Sequence, residues 1–189
     1  GFAAQYLQKP LRLDAGLVKA YWLKYYDTLP EGNIYQSWDT AIKVGQGNDY
    51  SVCITFVEAA NGFYVADIFR DKLEYPDLKR KIESLAEKWK PQGILLEDKA
   101  SGQSLLQDLR TATKLPLIAV MPRQDKIQRL AAVSPLIEAG KLFLPKHNLL
   151  ELELCQFPEG KHDDMVDALS QFLNWTRSRV VAALGIRRI

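Results

Sequence analysis

A short, almost wholly apolar segment in the middle of the chain constrains the fold more than any other feature. Residues 93–97 read Gly-Ile-Leu-Leu-Glu, and Pro91 lies just before them. An apolar run of this length without polar alternation is typical of a central strand that is buried on both faces. The segment therefore predicts the interior of a sheet flanked by helices, and it ends on a carboxylate, Glu97.

The residues before this segment read as strands that are joined by short loops. Runs at residues 34–38, 50–57 and 63–69 are rich in β-branched and aromatic side chains. A Gly/Asn/Asp loop at residues 45–49 separates the first two runs, and Asn61-Gly62, a strong hairpin signal, separates the last two. The three runs predict an antiparallel meander.

After Pro76, helical spacing alternates with short apolar runs. Helices are predicted at residues 78–89, 103–112, 126–139 and 163–179, and further strands at 93–97, 115–121 and 142–144. Strand–helix alternation after a meander indicates an α/β fold with a mixed central sheet, in which parallel strands follow the three antiparallel ones.

Three regions are expected along the chain. Residues 33–180 are predicted to form the α/β domain. Residues 1–32, with scattered Pro and Gly and an aromatic stretch, are interpreted as a linker or arm with a short helix. Residues 181–189 are expected to form a C-terminal tail.

Composition excludes several classes of protein. Hydrophobic residues make up 47% and charged residues 25% of the chain, the balance of a globular domain. No apolar run approaches the roughly 18 residues that a membrane span needs. A net charge of +2 is too small to identify a nucleic-acid partner by itself. Cys53 and Cys155 lack zinc-like spacing and are interpreted as reduced core thiols, which suits a reducing cytoplasm.

Two carboxylates follow predicted strands. Asp39 ends the first strand, and Glu97 ends the buried one. A carboxylate directly after Ile-Leu-Leu is costly unless a cation or a hydrogen bond compensates its charge. The alternative is that Glu97 is simply exposed at the edge of the sheet.

The most informative stretch is His162-Asp163-Asp164, with Asp167 one turn later. Acidic residues at the start of a helix are often only caps or dipole partners. However, three acids crowd four helical positions on one side of the helix, and a bound cation would offset their repulsion. Carboxylate ligands without cysteine suit Mg²⁺ or Mn²⁺, and two such ions can cut a phosphodiester. His162 is a candidate for positioning water or phosphate.

A group of basic residues is the candidate for contacts to DNA. Arg123, Lys126 and Arg129 surround a predicted helix start, where backbone amides also favour phosphate. The alternative is a solvated face. The sequence contains no P-loop, no dinucleotide-binding glycine motif and no nucleophile elbow.

These motifs together resemble the C-terminal nuclease domain of the terminase large subunit of tailed phages and prophages. The segments that carry the resemblance are residues 2–10, 38–39 with 48–51, 95–102, 126–129 with 140–145, and 157–168, the last being the most specific.

The resemblance implies an RNase H-like endonuclease that cuts concatemeric DNA at the start and end of genome packaging with two divalent ions. The implied metal ligands and supporting residues are Asp39, Glu97 and either Asp163 or Asp164, with Asp49 and Asp167 as further candidates and His162 and Lys99 as supporting residues. Implied partners are double-stranded DNA, the ATPase domain of the same polypeptide, the portal and the small terminase subunit. The expected location is the host cytoplasm. Two alternatives stay open: another RNase H-like nuclease such as a junction resolvase, and a non-catalytic DNA-binding or motor-docking module.

Overall fold

The computed structural model describes residues 16–42, 49–98 and 103–185. Four sets of predictions lie outside the described residues: those on residues 1–15 of the linker, on residues 45–48 of the loop, on Lys99 and on residues 186–189 of the tail.

Within these ranges, the chain forms strands and helices in the expected order. The strands are β1 (Lys24–Tyr26), β2 (Asn33–Asp39), β3 (Ser51–Ala59), β4 (Gly62–Asp71), β5 (Gly93–Glu97), β6 (Leu117–Val120) and β7 (Leu142–Pro145). The α-helices are α1 (Tyr75–Trp89), α2 (Gln103–Ala112), α3 (Lys126–Glu138), α4 (Leu149–Gln156) and α5 (Asp164–Ala183).

The strands form one sheet in the order β1-β7-β4-β3-β2-β5-β6. β2, β3 and β4 pair antiparallel, whereas β2–β5, β5–β6, β4–β7 and β1–β7 pair parallel. The predicted mixed sheet, with an antiparallel meander followed by parallel strands, is confirmed. β5 lies inside the sheet between β2 and β6, as its apolar sequence predicts.

Helices cover both faces of the sheet and divide the core in two. Trp38 and Leu96 point to the face that α1 and α2 cover. Tyr35 and Leu95, one position away from them in alternation, point to the face that α3, α4 and α5 cover. None of the described helices combines the length and the apolar character that a membrane crossing requires.

Two elements were not predicted. β1 lies inside the segment interpreted as a linker, where it pairs in parallel with β7, and the helical turn in this segment is a 3-10 turn at Ala20–Trp22. α4 has alternating Leu and Glu at residues 150–154, which is the period of a strand. Asn148 nevertheless starts a helix there, because its side chain accepts a hydrogen bond from the Glu151 amide at 2.9 Å.

α4 matters because its Glu153 holds the first turn of α5. The Glu153 carboxylate is only 6% exposed and accepts a hydrogen bond from the Met165 amide at 3.1 Å. The residue at the N-cap of α5, Asp163, makes no side-chain capping bond of its own. Burial raises the pKa of Glu153 to about 7, against the lowering effects of the Met165 amide and of the positive charge of Arg70, while Asp164 raises it further.

Replacing Glu153 with Gln should therefore change how stability depends on pH. Between pH 4.5 and about 7, folded Glu153 keeps a proton that the unfolded chain releases, so its stabilising contribution is lost as pH rises through this window. Gln keeps an acceptor for the Met165 amide but does not titrate. Relative to Glu153→Gln, the parent should lose on the order of 3 kcal/mol of unfolding free energy between pH 4.5 and 8. Urea unfolding of both proteins at several pH values measures this, and parallel pH curves would contradict it.

Candidate active site

Asp39 and Glu97 lie at the same edge of the sheet. They end the neighbouring parallel strands β2 and β5, one residue beyond the register pair Trp38 and Leu96. Neighbouring strands lie about 5 Å apart, so the backbones of the two acidic residues are close. Because Trp38 and Leu96 face α1 and α2, alternation turns Asp39 and Glu97 to the opposite face, where α5 lies.

Hydrogen bonds fix α5 against the end of β2. The Ser37 hydroxyl donates to the Ala168 carbonyl at 2.7 Å. The Gln171 amide donates to the Ser37 hydroxyl at 2.9 Å and to the Trp38 carbonyl at 3.1 Å. Asp164 is four residues before Ala168 and seven before Gln171, so the three share one face of the helix. This face contacts β2, and Asp164 is the acid of the first turn that lies on the side of Asp39.

The other two acids of this turn are paired with α3. The Lys126 ammonium lies 2.9 Å from Asp163 Oδ2 and 2.8 Å from Asp167 Oδ2. The Arg129 guanidinium lies 3.3 Å from Asp167 Oδ1 and also donates to the Gln124 carbonyl at 3.1 Å. Two of the three predicted DNA-binding cations are therefore bound within the protein to the acidic cluster.

Burial and charge set the protonation behaviour of this turn. Burial, and then the negative charge of Asp163, raise the pKa of Asp164, whereas Arg70 and Lys126 lower it. Burial also raises the pKa of Asp167, although Lys126 and Arg129 oppose the change. Burial would lower the pKa of Lys126, but its hydrogen bonds to Asp167 and Asp163 outweigh this and raise it, so the ammonium stays charged.

The acidic residues line one open cleft of about 1280 Å³, which exceeds the usual size of a small-molecule site. The acids that line it are Asp39, Asp49, Glu97, Asp164 and Asp167, and the cations are Arg123, Lys126, Arg129 and Arg177. In the described part of the chain, no three His, Cys, Asp or Glu residues are grouped closely enough to hold a metal ion as they stand. The structure thus brings the predicted acids to one cleft without the tight grouping expected of them.

An aromatic and basic group lies beside the helix start. The His162 ring contacts the Tyr50 ring edge-on, with centroids 5.5 Å apart. The Arg70 guanidinium lies 3.9 Å from the centroid of the Tyr50 ring, and its charge lowers the pKa of Asp164. Sequence reasoning missed Tyr50, Arg70, Glu153 and Gln171. Only Gln171 had a signal, its place on the helix face of Asp164.

Structures of similar fold are nucleases of thermophilic phages. The large terminase nuclease of phage G20c, in a crystal structure with bound zinc, has a TM-score of 0.65 at 17% identity over 87% of this chain and 98% of that one. The nuclease domain of the large terminase of Thermus phage P74-26 has a TM-score of 0.58 at 16% identity over 84% of this chain and 90% of that one.

The full-length large terminase of another thermophilic bacteriophage has a TM-score of 0.61 at 14% identity, over 81% of this chain but only 42% of its own length. No sequence among the curated proteins matches the chain. A family model described as the terminase RNaseH-like domain matches residues 36–175, which include β2, β5 and the first turn of α5. With this match over most of its length, the chain belongs to the terminase RNaseH-like domain family.

Proposed function

We propose that this chain is a metal-dependent endodeoxyribonuclease that cuts concatemeric viral DNA during genome packaging. The observation that carries the proposal is the meeting of Asp39, Glu97 and Asp164 in one cleft, two from neighbouring strand ends and one from the helix that is hydrogen-bonded to β2. The family supports a terminase nuclease over a junction resolvase or a non-catalytic module.

The donor set fits Mg²⁺ or Mn²⁺. The candidate ligands are carboxylates, which these hard cations prefer, and the raised pKa of Asp164 reflects a site in which a cation would relieve burial and like charge. When bound, two such ions would activate a water and stabilise the leaving oxygen of a phosphodiester. Structures of the G20c nuclease contain magnesium, cobalt or zinc. Asp49, exposed on the same cleft, is a further candidate ligand.

Adjacent Asp163 and Asp164 have different roles in this proposal. Asp164, on the β2 side of α5, serves as the ligand together with Asp39 and Glu97. Asp163 and Asp167 hold the Lys126 ammonium at the cleft, where its fixed charge orients the phosphate of the substrate. His162 lies against Tyr50 at this end of the cleft and is proposed to help to position the substrate.

The partners follow from the family and from the greater length of a relative. The chain spans 42% of the longer phage terminase compared above, which has also been crystallised with ADP. We therefore propose that an ATPase domain of the same polypeptide, double-stranded DNA, the portal and the small terminase subunit are its partners, in the cytoplasm of the host. Cys53 and Cys155 are buried free thiols, which is in keeping with a reducing compartment.

The nuclease activity should depend on a divalent cation. The protein is expected to nick or cut plasmid DNA with Mn²⁺ or Mg²⁺ and to leave it intact with EDTA, with little sequence preference. Agarose gels of plasmid incubated under the three conditions measure this. Cutting that survives chelation would exclude the metal mechanism, and cutting at a single sequence would contradict the expected lack of base recognition.

Asparagine substitutions should separate the neighbouring aspartates. Asp39→Asn and Asp164→Asn remove a ligand charge and should slow plasmid cutting by about a hundredfold or more. Asp163→Asn is the matched control and should retain cutting within about tenfold, because it weakens only one of the two carboxylate contacts of Lys126. Mn²⁺ should raise the melting temperature of the parent and of Asp163→Asn more than that of Asp164→Asn.

Two results would contradict this division. A normal cutting rate in Asp164→Asn with loss in Asp163→Asn would exchange the two roles. Normal rates in both Asp39→Asn and Asp164→Asn would remove the basis of the nuclease proposal.

The three basic residues should contribute unequally to DNA binding. Arg123 is exposed on the cleft, whereas Arg129 is paired with Asp167 and with the Gln124 carbonyl. Arg123→Ala should flatten the dependence of log affinity on log salt by about 1 without altering sequence preference. Arg129→Ala should flatten it less. Fluorescence anisotropy at several salt concentrations measures both slopes, and an unchanged slope in Arg123→Ala would exclude it as a phosphate contact.

A further inference from the structure

The loop between β6 and α3 exposes an apolar side chain at the rim of the acidic cleft. Met121 is 70% exposed, and Pro122 and Arg123, which follow it, are also exposed. All three line the cleft with the acids. Ile127, on the first turn of α3, is 49% exposed. Exposed apolar residues beside a charged cleft are typical of a binding surface.

Both ends of this loop are fixed. β6 pairs with β5 up to Val120, which is in register with Glu97, and the Asp98 amide donates to the Val120 carbonyl at 2.7 Å. At the other end, the Asp125 carboxylate accepts from the Gln128 amide at 2.8 Å, and the Gln128 side chain accepts from the Asp125 amide at 3.3 Å. This capping box sets the start of α3. The short loop therefore presents Met121 from a rigid base.

Met121 lies close to the proposed metal ligands. Its backbone is one residue beyond Val120, the register partner of Glu97 on the neighbouring strand. From the spacing of paired strands and the rise per residue, the backbones of Met121 and Glu97 are about 6 Å apart. This distance corresponds to about two base steps of duplex DNA at about 3.4 Å each.

We propose that Met121 and Pro122 form a wedge that enters duplex DNA next to the scissile phosphate and unstacks a base step. The inference rests on the proposed nuclease function. Arg123 contacts the neighbouring phosphate and holds the duplex on the wedge. Apolar side chains such as Met, Ile and Pro open and kink duplexes in this way when they insert between base pairs. The opening brings one strand down to Asp39 and Asp164, which lie half-buried inside the cleft.

A fluorescence experiment tests the insertion directly. A duplex that carries 2-aminopurine at successive positions is mixed with the protein and with Ca²⁺ in place of Mn²⁺, and base unstacking is read as increased emission. The parent should raise the emission at one or two adjacent positions, and Met121→Ala should lose at least half of the increase. The matched control is Leu149→Ala, because Leu149 is 66% exposed at the start of α4 and lies outside the cleft. An increase that is absent in the parent, or unchanged in Met121→Ala, would overturn the wedge.

Cutting rates give a second, independent readout. Met121→Ala should cut a relaxed plasmid about tenfold more slowly than the parent, because it no longer offsets the cost of unstacking. It should cut a single-stranded circle of the same sequence within about twofold of the parent, and Leu149→Ala should match the parent on both. Equal slowing on both DNAs, or none on either, would assign Met121 to another contact, such as a protein partner, and overturn the wedge.

The two proposals fail in different ways. A parent protein that cuts neither DNA in Mn²⁺ contradicts the nuclease function. The 2-aminopurine emission still decides the wedge in that case, because it requires binding and unstacking but no cutting.

Discussion

The packing of α5 across β2 is the interaction on which the candidate site depends. The aromatic rings of Phe172 and Phe56 stack with centroids 4.0 Å apart in the core below. Closer to the cleft, the Ser37 hydroxyl and the Gln171 amide join the helix to the strand. These contacts fix the first turn of the helix relative to the end of the strand. Without them, the acids from segments more than a hundred residues apart would have no common location.

Holding several carboxylates together requires compensation from elsewhere in the fold. Burial raises the pKa values of Asp164 and Asp167, which means that their ionised forms are disfavoured in the folded protein. Lys126 and Arg129 compensate Asp167, and the N-terminus of α5 receives the Glu153 carboxylate. A pair of helices, α3 and α4, thus neutralises and anchors one turn of a third. This explains why acids that repel one another can be kept in place before any cation is bound.

The sequence predicted the fold better than the details of the site. Apolar runs and hairpin signals are local, so the meander, the buried strand before Glu97 and the long last helix could be located from composition and spacing. α4 could not, because its Leu/Glu alternation has the period of a strand and only the Asn148 cap and tertiary packing make it helical. The pairing of Lys126 with Asp163, 37 residues away, likewise arises only when α3 packs on α5. Local patterns carry no information on such contacts.

The partition of neighbouring aspartates follows from helix geometry and not from chemistry. Asp163 and Asp164 have identical side chains, yet successive helical positions are turned by about 100°, so one meets α3 and the other lies on the β2 side. A cation on α3 and a strand acid on β2 then give the two residues opposite electrostatic surroundings. Lys126 satisfies the acids that face it, and the remaining acid is left to the cleft that Asp39 and Glu97 share. Moving the start of α5 by a single residue would exchange these surroundings, which is why a buried carboxylate from another helix, Glu153, is needed to fix the position of that turn.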